Sequence, residues 1–90
     1  MPKVSSVLIE TLKNHNVDRF FCVPGESYLP VMNELVSNPI IDVVTCRHEG
    51  GAGFMAVADA KCTGNPGVAY VSRGPGATNI SIAVHSAHQG

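Results

Sequence analysis

The sequence predicts an α/β fold, three layers deep, in which a parallel sheet carries helices on both faces and of which this chain holds only part. Three observations predict it. Short apolar runs closed by Pro or Gly alternate with segments of helical periodicity, in the order αβαβαβα. Apolar residues make up 44% of the 90 residues and charged residues 14%, a balance that suits a buried core and not a solvated chain. Each loop rich in Gly, Pro and ionisable residues follows a strand, and open parallel sheets bind their ligands beyond the carboxyl ends of strands.

Val4, Val7, Leu8 and Leu12 recur at helical spacing, so residues 3–15 read as an amphipathic helix ended by Asn14 to Asn16. The run RFFCV over 19–23 is short, apolar and closed by Pro24-Gly25, the pattern of a buried strand. Ser27 is placed to cap a helix from about Tyr28 to Val36, with Pro30 tolerated in its first turn and Asn38-Pro39 stopping it. IIDVVTC over 40–46 is rich in β-branched residues and reads as the second strand. Arg47-His48-Glu49 then leads into a Gly/Ala-rich helix that reaches about Cys62, before the turn Thr63-Gly64-Asn65-Pro66. Residues 67–72 form the third strand, and Gly74-Pro75-Gly76 turns the chain into a last helix from about Ala77 to His88.

Right-handed crossovers between these strands give a parallel sheet. Three strands leave open edges and a half-built core, and the chain reaches Gly90 just after a helix, where a fourth strand is due. Residues 1–90 are therefore expected to be the amino-terminal part of a larger domain.

The net charge of −1, with no Lys/Arg cluster, gives no footprint for nucleic acid or anionic lipid. No run of about 18 apolar residues marks a membrane span, and residues 1–12 lack a targeting pattern, so a cytoplasmic, soluble protein is expected. Cys22, Cys46 and Cys62 are odd in number, lack C-x-x-C spacing and lie in apolar stretches, which predicts reduced core thiols. No G-x-S-x-G, G-K-[ST] or H-E-x-x-H motif is present, which removes the commonest serine hydrolase, nucleotide hydrolase and zinc protease readings.

Three loops carry the candidate chemistry. Arg47-His48-Glu49 sets three ionisable side chains between a strand and a helix; Glu49 is there either an active-site acid or half of a surface ion pair with Arg47. Ser72-Arg73-Gly74-Pro75-Gly76-Ala77-Thr78-Asn79 is a small-residue loop at a helix start, where free amides can meet an anion or polar ring, or where Thr78 or Asn79 simply caps a tight turn. Pro24-Gly25-Glu26-Ser27 offers Glu26 as an exposed charge or as an acid facing a ligand. Gly51-x-Gly53-x-x-Ala56 matches a dinucleotide fingerprint, but charged residues precede it and no acid lies about 20 residues on. His85 and His88 lie three apart on one helix and have no evident third ligand, so no metal site is assigned.

Together FFCVPGESYLPVMNEL and CRHEGGAGFMAVADAKCTGNPGVAYVSRGPGATN closely resemble the pyrimidine-binding domain of thiamine-diphosphate enzymes, especially acetolactate synthase-like proteins. The resemblance runs the length of the chain and rests on three motifs in the family's order: the Pro-Gly turn, R-H-E-x-x-A, and G-P-G-A-T-N. It implies a lyase or transferase acting on 2-oxo acids, in which the carboxyl of Glu49 hydrogen-bonds and activates the cofactor's aminopyrimidine ring. A carboxyl in an apolar pocket has a raised pKa and can share a proton with a ring nitrogen. The resemblance further places Pro24, Gly25, Gly76 and Asn79 at the cofactor and Glu26, Ser72 and Arg73 toward the substrate. Two of these depart from the family's habit. Glu26 stands where acetolactate synthases often have Gly, and Arg73 stands where Ser is common, to pair with Glu26 or Glu49 or to bind a substrate carboxylate.

The resemblance also implies that the diphosphate and Mg²⁺ are held by a domain absent from this chain and supplied by a second subunit. A homodimer or homotetramer is then expected for the whole enzyme, with the fragment alone inactive, and FAD is a further cofactor in some relatives. Two other readings stand beside it: a non-catalytic α/β binding fragment, and a different 2-oxo acid decarboxylase of the same family. A nucleotide-binding oxidoreductase domain is disfavoured by the missing ribose-binding acid.

Overall fold

Every backbone group of a buried strand needs a partner, and the central run RFFC finds one on each side. The computed structural model describes residues 3–25, 28–38 and 40–90. In it β1 (Arg19–Cys22) lies between β2 (Asp42–Thr45) and β3 (Ala69–Tyr70), in the order β2-β1-β3, with both pairings parallel. Phe20 pairs with Val43 and Phe21 with Val44 on one side, while Phe21 pairs with Ala69 and Cys22 with Tyr70 on the other. Helices α1 (Val4–Asn14), α2 (Leu29–Val36), α3 (Glu49–Thr63) and α4 (Pro75–Gln89) complete the αβαβαβα order.

Alternation along β1 builds the layers, because successive side chains leave opposite faces of a strand. Phe20 and Cys22 are fully buried with Ile9 of α1, Leu35 of α2 and Ile41, and Leu12, Val31, Met32, Val43, Val68 and Tyr70 pack around them. Phe21 enters the opposite layer against Ala52 and Ala56 of α3, with Val44, Cys46 and Ala69 at its margin. Helices thus cover both faces of a parallel sheet, as the sequence predicts. Full burial of an aromatic such as Phe20 contributes about 1.5–3 kcal/mol.

The buried side of α1 is turned from the predicted stripe. Ser5 and Ile9 are buried and Leu12 packs on the core, whereas Val4 is 87% exposed and Val7 53%. Positions 5, 9 and 12 share a face as well as positions 4, 8 and 12 do, and β1 selects the face carrying the larger Ile9. The Ser27 cap predicted for α2 and Pro39 lie outside the described residues; the helix ends at Val36, and the Asn38 side-chain amide donates to the Glu34 carbonyl at 2.7 Å.

Small residues set the rest. On α3 the buried positions are Gly50, Ala52, Gly53 and Ala56, so the helix lies close to the sheet through its alanines and close to α4 through Gly53. A Cβ at Gly53 would stand 2.5 Å from the Ala83 Cβ and 2.8 Å from Cγ1 of Ile80. At Gly67 a Cβ would meet the Ala56 carbonyl oxygen, so the entry to β3 runs directly against the α3 backbone. Gly64 ends α3 at φ 75, a left-handed conformation that costs glycine little.

Two boundaries differ from the predicted ones: β3 is only two residues long, and α4 starts at Pro75 and not near Ala77. Proline is compatible with a first helical turn, which needs no amide donor there. The thiols also differ from expectation, since Cys22 is buried and Cys46 half-buried while Cys62 is exposed, outside the core; all three are free. Cys62 falls on the outer side of α3, where an apolar neighbourhood in sequence does not become one in space.

Candidate functional site

Parallel strands deliver their following loops to one edge of the sheet, and here the three predicted loops meet. Gly25, after β1, lies so near the third loop that a Cβ on it would stand 3.3 Å from the Ser72 Cβ and 3.5 Å from the Tyr28 ring. A Cβ at the buried Gly76 would come 2.8 Å from the Ser72 hydroxyl. Ser72 is therefore wedged between Gly25 and Gly76: a Cβ at Gly76 would displace its hydroxyl, and one at Gly25 would press on its Cβ. Pro24 is exposed beside them.

Tyr28 supports this edge from below. It is buried, its hydroxyl donates to the Val23 carbonyl, and its ring meets Tyr70 edge-on with centroids 5.6 Å apart. Burial pushes the Tyr28 phenol up, and the neighbouring Cys22 and Glu49 charges add to the rise. Sequence reasoning missed this residue. A tyrosine shortly after a Pro-Gly turn, directly before the first apolar residue of the helix, is the signal that was available.

The second loop is organised by His48. At the residue preceding α3 its backbone is extended, and its Nδ1 accepts from the Gly50 amide at 3.0 Å, closing one of the free donors of the first turn. That acceptor requires a neutral ring with its proton on Nε2. Ser, Thr, Asp and Asn dominate this position, so a histidine there is easily passed over. His48→Ala is expected to cost about 1 kcal/mol of stability and His48→Asn close to none, read from urea unfolding midpoints of the two variants.

Glu49 follows as the first residue of α3, half-buried. Its Oε1 accepts from the side-chain amide of Asn79 at 3.1 Å, a bond that joins α3 to α4 across 30 residues of sequence. The carboxyl is held below its usual range, first by its own backbone amide and then by Asn79, with desolvation opposing. This corrects the expectation of a raised pKa: within this chain Glu49 lacks the apolar cover that would favour its neutral form. It also corrects the surface-pair reading, because among the described residues neither Arg47 nor Arg73 pairs with Glu49. Nor does Thr78 or Asn79 cap α4, whose first residue follows Gly74 with no side-chain cap.

Arg73 is exposed at the same edge, and Glu26 lies outside the described residues. His85 and His88 are both exposed on α4, and among the described residues no three His, Cys, Asp or Glu side chains gather as metal ligands. A groove of about 510 Å³ lies elsewhere: it runs between α3, α4 and β3 with walls that include Ala56, Val57, Ile80 and Ala83, and includes none of the loop residues above.

A family model described as "Thiamine pyrophosphate enzyme, N-terminal TPP binding domain" matches residues 2–90. The chain belongs to this family. Among curated relatives, the probable 2-ketoarginine decarboxylase of Pseudomonas aeruginosa is 43% identical over 81 residues, 90% of this chain and 14% of that protein. The mitochondrial acetolactate synthase catalytic subunit of Saccharomyces cerevisiae is 42% identical over 71 residues, covering 79% of this chain and 10% of its own length. The acetolactate synthase large subunit of Corynebacterium glutamicum is 37% identical over 84 residues, 93% of this chain and 13% of its own. The chain thus spans about a seventh or less of the length of these thiamine pyrophosphate family members. No helix among the described residues is long and apolar enough to cross a membrane.

Proposed function

We propose that residues 1–90 are the amino-terminal part of the pyrimidine-binding domain of a longer enzyme, which uses thiamine diphosphate to decarboxylate or join 2-oxo acids. The observation that carries this is the place of Glu49: a carboxylate at the carboxyl edge of the sheet, linked to Asn79 in a chain of this family. The short coverage of each relative supports the reading as a part.

The donor set fits one end of the cofactor. A carboxylate, a side-chain amide and a hydroxyl at one edge, with Gly25 and Gly76 keeping backbone accessible, suit a flat polar ring that offers both donors and acceptors. They do not suit a diphosphate with its Mg²⁺, for which we assign the anchor to a domain of a second subunit, so that activity requires at least a dimer. When bound, the cofactor supplies the electron sink for decarboxylation.

The residues of this chain then bind and move a proton. Pro24 and Gly25 would hold one side of the ring. Asn79 holds one oxygen of Glu49, and the other oxygen of that carboxyl would share a proton with the ring nitrogen. Glu49 would gain apolar cover with the ring and a second subunit in place, and burial of that kind would raise its pKa. Arg73, exposed beside Ser72, faces the substrate and supplies a cation for a second carboxylate or other anionic group on it.

The test is carbon dioxide release by the full-length enzyme from a panel of 2-oxo acids, with and without thiamine diphosphate and Mg²⁺. Cofactor-dependent release is expected; release that ignores the cofactor, or none from any panel member, would contradict the reading. In the same panel Arg73→Ser is expected to change the ratio of kcat/KM between substrates bearing an additional acidic group and those without by about tenfold or more, the worth of one charge-assisted contact. An unchanged ratio removes Arg73 from the pocket.

A further inference from the structure

We propose that Asn79 is a positioning residue that acts through Glu49, its amide fixing where the carboxylate stands at the sheet edge. The inference rests on the reading of Glu49 given above and assigns to Asn79 a role on the acid in place of a direct role on the cofactor.

The geometry is built for this contact. Of the side-chain hydrogen bonds among the described residues, the one from Nδ2 of Asn79 to Oε1 of Glu49 is the one that links α3 to α4. Its approach depends on a glycine: Gly53 lets Ile80 and Ala83 close on α3. Placed one residue before Ile80, Asn79 is carried to Glu49 by the helix packing itself. His48 fixes the backbone from which Glu49 projects, so cap and amide together define the position of the acid.

An amide suits the task better than a cation would. It donates at every pH, carries no charge to compete with the ring, and occupies only one of the carboxylate's roughly four lone-pair positions. A donor to the ionised form also favours that form, consistent with the lowered pKa of Glu49. The other titratable groups facing Glu49 are His48, whose ring accepts from the Gly50 amide, and Tyr28, whose ionisation Glu49 opposes.

The test uses the full-length enzyme with Asn79→Ala and Asn79→Asp, the second isosteric and at an exposed position, so that it carries the experiment should the first fail to fold. Two quantities are read: the pH profile of kcat/KM, and the protons taken up when thiamine diphosphate binds, from calorimetry in two buffers of different ionisation enthalpy. A depressed carboxyl is ionised above its folded pKa, so losing the donor raises the pH at which ionisation is complete. Both variants are expected to move the acid limb of the profile and the midpoint of proton uptake to higher pH. The shift should be larger for Asn79→Asp than for Asn79→Ala, because the aspartate sets a like charge beside Glu49. A fall in kcat with both pH readouts unmoved would overturn the proposal. Glu49→Gln separates this from failure of the underlying reading. If that variant keeps wild-type turnover and proton uptake, the role of Glu49 is wrong; if it loses both while the Asn79 variants leave the profile in place, only the role of Asn79 is wrong.

Discussion

Glu49→Gln in the full-length enzyme is expected to lower kcat about 10²- to 10⁴-fold while the affinity for thiamine diphosphate changes little. Glutamine keeps the size of the side chain and a carbonyl oxygen that accepts from Asn79, so the link between α3 and α4 survives the change. What is lost is an oxygen that can receive and return a proton. Calorimetric titration with the cofactor and steady-state turnover on one 2-oxo acid read the two quantities separately. A variant that binds poorly would place Glu49 in anchoring, and one that turns over normally would remove it from the chemistry.

Gly53→Val is expected to act at a distance on the same site. The space that a Cβ would take is already filled by the Ala83 methyl and Cγ1 of Ile80, neither of which is the free end of a long side chain. α4 must therefore move away from α3, at a cost of about 1–3 kcal/mol for overpacking a close contact. The movement carries Asn79 away from Glu49, so weaker cofactor binding and slower turnover should accompany the lower unfolding midpoint. An unchanged midpoint would show that the two helices are not held as closely as this geometry requires. Loss of stability with wild-type turnover would uncouple helix packing from the site.

Much of this was legible in the sequence because short buried strands and their closing turns are local features. RFFC followed by Pro24-Gly25 and DVVT followed by Arg47-His48-Glu49 gave strand positions, and alternation with helices gave a parallel sheet whose loops share an edge. The face of α1 was misread because Val4 and Val7 and the pair Ser5 and Ile9 offer two stripes of similar quality, and only the shape of the β1 surface chooses between them. On α3 the buried side consists of glycine and alanine, which leave little apolar periodicity to detect, so its close approach to α4 emerged only in space. Near the sheet edge, Gly25 and Gly76 pack on Ser72, and Glu49 meets Asn79 of the same loop. The link from Asn79 to Glu49 and the support from Tyr28 depend on side-chain direction across 30 residues and across a loop, which spacing alone does not determine.

The proposed role of Glu49 is to be the proton partner of the cofactor, and exchange of the cofactor's C2 proton with deuterium tests that step apart from substrate and product. Measured by NMR after rapid quench, with the full-length enzyme and saturating thiamine diphosphate and Mg²⁺, exchange should be fast in the wild-type enzyme and fall by about 10²-fold or more in Glu49→Gln. Equal exchange rates in the two proteins would contradict that role, whatever their turnover.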